Sequence, residues 1–157
     1  MKTNYLLPHR YKIIGWVIFL LGCIFGLYIW ITDYESDLLT INVVSIFNDE
    51  LFTDSNKKLF EITKNSIIDE LTSLAIIIGG LLVGFTKEKV EDEFIYKLRK
   101  DSLVWAIIFN YVILVLTIVF VYNFTFFHIL VFNMFTPLLF FIIRFNFLKL
   151  KSRSDEE

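Results

Sequence analysis

The chain has 157 residues, 56% of them hydrophobic and 18% aromatic, with 18 Phe against 2 Pro. Soluble domains sit at about 45–50% apolar, so this excess and a mean hydropathy of +0.64 point to lipid as the solvent. A net charge of -2 supplies no basic footprint for nucleic acid, and the lone Cys23 excludes an internal disulfide, a CxxC redox pair and a Cys-based zinc site.

Residues 1–12 form a basic tail with Lys2, Arg10 and Lys12 and no acid. The 20 uncharged residues between Lys12 and Asp33 predict a first membrane helix over 13–32, since about 20 apolar residues cross a hydrocarbon core of roughly 30 Å. Its apolar run outlasts a signal-peptide core and ends in Tyr28-Ile-Trp-Ile-Thr32, without a small-x-small cleavage site. A loop over 33–66 follows. Within it Leu39–Phe47 and Lys58–Thr63 read as strands, with turn chemistry over Asn48–Asn56, which predicts a β-hairpin. Ser66 is expected to cap a second span over 67–86, with Asp69 and Glu70 in its first turn.

Segment 87–101 places Val90, Phe94, Ile95 and Leu98 at helical spacing among charges. It predicts an amphipathic helix that lies on the bilayer or docks a partner through those four residues. The 42 residues from Ser102 to Ile143 carry no charge. At 1.5 Å per residue they would reach about 63 Å, too far for one crossing. Two spans over 102–122 and 125–144 are expected, reversing near Asn123, with a kink at Pro137 and Arg144 long enough to reach headgroups. A tail over 145–157 closes the chain.

The fold class is thus an all-α membrane protein, a bundle of four transmembrane helices with a small extracytoplasmic β-hairpin between the first two. Placing both termini and segment 87–101 on one side collects 12 basic residues there and leaves 3 on the other, so that side is expected to be cytoplasmic. Tyr11, Trp16, Tyr28, Trp30, Trp105 and Tyr122 fall at the span ends, where aromatic rings favour the headgroup level.

All six glycines fall in the first two spans. Gly15, Gly22 and Gly26 face a partner helix, as do Gly79, Gly80 and Gly84, and two GxxxG motifs let backbones approach closely. Packing of the two spans within one subunit is the simpler reading; homo-oligomerisation through one motif is the other. The last two spans carry the polar residues instead: Asn110, Thr117, His128, Asn133 and Thr136. Folding the hairpin near 123 sets Asn110 level with Thr136 and within a turn of Asn133, and Thr117 near His128. These read as interhelical hydrogen bonds, or alternatively as the lining of a substrate or proton path.

Asp69 and Glu70 stand at the interface end of the second span, and no Asp, Glu or Lys lies deeper in any span, which removes the usual carrier of ion- or proton-coupled transport. HExxH, nucleophile and phosphate-loop motifs are missing too, so neither an enzyme nor a cofactor is expected.

The runs Lys87–Ile95, Arg99–Ala106, Asn110-Tyr111, Phe132–Thr136 and Phe140–Phe145 resemble a family of small, uncharacterised bacterial four-span membrane proteins. Such proteins are often encoded beside a helix-turn-helix regulator. The resemblance implies an inner-membrane protein coupled to a cytoplasmic transcriptional regulator, and it carries over no functional residue. A sensor or scaffold is therefore the leading expectation, with a subunit of a small oligomeric transporter or channel as the alternative.

Overall fold

The computed structural model describes residues 6–32, 40–48 and 58–154. Helix α1 runs Tyr11–Thr32 and is followed by strands β1 (Thr40–Asn48) and β2 (Lys58–Ser66). Helices α2 (Ile68–Gly84), α3 (Glu93–Phe120), α4 (Asn123–Asn133) and α5 (Thr136–Ser154) complete the chain. The strands pair antiparallel, with Thr40 opposite Ser66 and Asn48 opposite Lys58. A small two-stranded sheet therefore does separate the first two helices. The turn expected beyond Asn48 lies outside the described residues.

Helices α1 and α3 are long and apolar enough to cross a membrane, and the pair α4–α5, bent by 46° at its break, makes a third crossing if counted as one span. Large apolar side chains such as Ile24, Phe25, Ile108 and Val119 stand exposed along α1 and α3, which suits helices solvated by lipid. Helix α2 has 17 residues, so it reaches only about 25 Å and falls short of the usual span.

Several boundaries differ from those read off the charge pattern, and the causes are local. Residues 87–92 are not helical: the Asp92 carboxylate accepts from the Ile95 amide at 2.7 Å and starts α3 at Glu93. From there α3 continues unbroken for 28 residues, so the expected amphipathic helix is its first two turns. Ser66 ends β2 and Ile67 takes the N-cap position of α2, although Asp69 and Glu70 do occupy its first turn. The last span is broken rather than merely kinked. Pro137 lacks an N–H, and its ring would meet the carbonyl of Asn133, the residue at which α4 stops. Asn123, with φ +62°, makes the reversal between α3 and α4 in the left-handed region that asparagine tolerates.

Helices α1 and α2 pack antiparallel along their length through their glycines. A Cβ on Gly79 would lie 2.5 Å from the backbone nitrogen of Phe19, and one on Gly15 would lie 2.7 Å from Leu82 Cβ. Gly22 meets Ile76 and Ala75 in the same way, whereas Gly26 has ordinary clearance from Thr72. The second GxxxG serves a different neighbour. Gly80 meets Leu138 and Gly84 meets Phe141, both on α5, so α2 is the plate between α1 and α5. The core of Phe19, Val83, Ala106, Phe141, Ile142 and Phe145 lies in the half of the bundle nearest residues 86–92. Helix α4 contributes no buried residue to it.

Candidate functional site

The end of the bundle beyond Gly84 is organised around a short irregular segment, Thr86–Asp92. Leu7 pairs with it as an isolated parallel bridge: its amide donates to Phe85 O, and its carbonyl accepts from the Lys87 amide, both at 2.9 Å. His9 Nδ1 lies 2.8 Å from Lys87 O. A carbonyl can only accept, so that ring nitrogen carries the proton.

Two carboxylates then tie the segment to three helices. Glu88 Oε1 accepts from Lys12 of α1 and, at 3.0 Å, from Lys149 of α5. Glu91 receives Arg99 of α3 through both oxygens, one of them at 3.2 Å, and also accepts the Glu88 amide at 2.9 Å. Arg99 reaches back to Thr86 O at 3.4 Å. A bidentate guanidinium fixes orientation as well as charge. Three cations face two carboxylates here, and Lys12 and Arg99 are only 7% and 3% exposed. The Phe145 ring lies among them, with Arg99 Cζ 5.1 Å and each lysine Nζ 5.9 Å from its centroid. Its quadrupole attracts the cations and tempers their mutual repulsion. Burial alone would raise the Glu88 carboxyl, but hydrogen bonds and charge from Lys12 and Lys149 outweigh it and hold the group below the ordinary carboxylate range.

The four candidate partner-binding residues divide. Val90 and Phe94 are 72% and 52% exposed, whereas Ile95 and Leu98 pack against the core. Beside Val90 and Phe94 opens a cavity of about 620 Å³, walled also by His9, Lys12, Glu88 and Lys149. A rigid charged base thus carries two apolar side chains outward. Sequence reasoning missed that base, because two of its three ion pairs join residues 76 and 61 positions apart. The local sign within reach was Asp92 before Glu93-Phe-Ile, a helix start that cuts 87–92 away from the helix.

The intramembrane polar residues do not converge on a path. Asn110 and Asn133 exchange side-chain hydrogen bonds in both directions, at 3.0 and 3.3 Å. Thr117 and Thr136 donate instead to carbonyls one turn back in the chain, Ile113 O and Phe132 O, at 2.9 and 3.1 Å. His128 is exposed on α4, and no bond joins it to Thr117. Among the described residues no three His, Cys, Asp or Glu side chains group to hold a metal ion. No protein-family model, curated protein or solved structure matches the chain.

Proposed function

We propose that this is a non-enzymatic multi-pass protein of the bacterial inner membrane, a sensor or scaffold that docks a cytoplasmic protein on segment 87–94. The reading takes α2 as a fourth crossing, with both termini in the cytoplasm. What supports the fourth crossing is its partner: α2 lies against α1 from Gly15 at Leu82 to Gly26 at Thr72, so it occupies the same depth. The excess of basic residues near the charged end supports the orientation. The family resemblance makes a transcriptional regulator the natural partner.

One observation carries the docking. Val90 and Phe94 are held outward on a segment anchored by Leu7, His9, Lys12, Arg99 and Lys149. Apolar groups presented on a rigid base lose little entropy when covered, the condition for an interface anchor.

Photo-crosslinking from position 94 in intact membranes tests the reading. A discrete protein adduct, lost in Val90→Asp while folding is retained, is the expected result; adducts to lipid alone refute it. In a Cys23→Ser background, Ile62→Cys should react with an impermeant reagent from outside the cell and Val90→Cys should not. The reverse pattern overturns the threading.

A further inference from the structure

Three cations gather on Phe145 at the charged end of the helices, and all three are committed. Lys12 and Lys149 share Glu88, and Arg99 holds Glu91. Arg144 has no hydrogen bond or ion pair among the described residues, and its buried Nε has no acceptor. Asp101, one turn before Trp105 on α3, makes no ion pair with it. What Arg144 does touch is Trp105, with its guanidinium carbon 4.6 Å from the ring centroid.

Position sharpens the contrast. Arg144 is the first charge after the 42-residue uncharged run, and therefore stands at the edge of that apolar stretch. Beneath it an aromatic ladder descends between α3 and α5. Trp105 stacks on Phe109 with centroids 4.8 Å apart, and Phe109 meets Phe140 edge-on at 4.8 Å. Trp105 is 39% exposed, so the ladder is open to the acyl chains beside it. Lys151 lies two turns beyond Arg144 on the same face of α5 and is exposed.

We propose that Arg144 and Trp105 form a site for the phosphodiester of an anionic glycerophospholipid, with an acyl chain lying along Phe109 and Phe140. An unpaired guanidinium is a forked donor matched to phosphate oxygens, and the indole beneath it fixes its plane. Lys151 supplies the second positive charge that favours an anionic headgroup over a zwitterionic one. Neither the docking of a protein at Phe94 nor the direction of threading is needed for this site.

The test uses the full chain with Trp16→Phe and Trp30→Phe, which leaves Trp105 as the fluorophore, in nanodiscs of phosphatidylcholine. Acyl-brominated phosphatidylglycerol should quench Trp105 with about fivefold higher apparent affinity than brominated phosphatidylcholine. Arg144→Gln should abolish that preference, Arg144→Lys should keep part of it, and Lys151→Gln should halve it. Circular dichroism of each variant should match the parent. Equal quenching by the two lipids, or a preference that survives Arg144→Gln, overturns the proposal. Displacement of the brominated lipid by inorganic phosphate at constant ionic strength also overturns it, because free phosphate would then be the ligand.

Discussion

Near the charged end a methyl group on Gly15 or Gly79 would lie 2.7 or 2.5 Å from its neighbour, while toward the sheet Gly26 leaves 3.4 Å. The same gradient appears in the ion pairs and the buried core. Ion pairs and the aromatic core gather around Phe145, whereas α4 at the other end has no fully buried residue. Between α3 and α4 the Asn110–Asn133 amide pair is the principal polar tie. Lipid supplies no hydrophobic drive between helices, so close backbone contact and polar bonds must hold them. One end has both means, and the other is left largely to the bilayer.

The comparison breaks most readily at Gly79. A methyl group there runs into the Phe19 backbone, which cannot rotate away as a side chain would. Gly79→Ala should cost about 3 kcal/mol, read as earlier unfolding of the purified protein in detergent. Next comes Glu88→Gln, which leaves Lys12 and Lys149 side by side and should cost about 2 kcal/mol. The carboxyl titrates below its ordinary value in the folded chain. Its contribution is therefore complete above the unfolded carboxyl value and is lost as pH falls through the depressed one. A stability titration should show an acid-side loss that Glu88→Gln removes. The smallest effect belongs to Gly26→Ala, whose Cβ would make ordinary contact with Thr72 and Ile76. It should be neutral, or stabilising by about 0.5 kcal/mol. Equal damage at positions 26 and 79 would erase the gradient.

Charge gaps in the sequence located the apolar stretches well, because they report which residues meet lipid. They do not report where a helix stops. The α3 backbone begins at Glu93, nine residues before its apolar part, and α5 runs on through Lys149 and Lys151 to Ser154. The hairpin was legible from the β-branched residues of β1, and Asn110 was placed within a turn of the partner it finds. Gly15, Gly22, Gly26 and Gly79 lie between α1 and α2, but Gly80 and Gly84 come closest to α5, since a GxxxG motif does not name its neighbour. Of the candidate docking residues, helical periodicity alone could not separate Phe94 from Leu98. That distinction depends on Phe145 and its neighbours, which arrive from the far end of the chain.

The bridge between Leu7 and Phe85–Lys87 also imposes an order on biosynthesis. Leu7 leaves the ribosome long before the strand it pairs with exists, so α1 must insert with its leading residues unpaired. The clasp closes only after α2 has turned the chain back alongside α1. An α2 that failed to pack on α1 would leave Glu88 out of reach of Lys12 and Leu7 without its backbone partners.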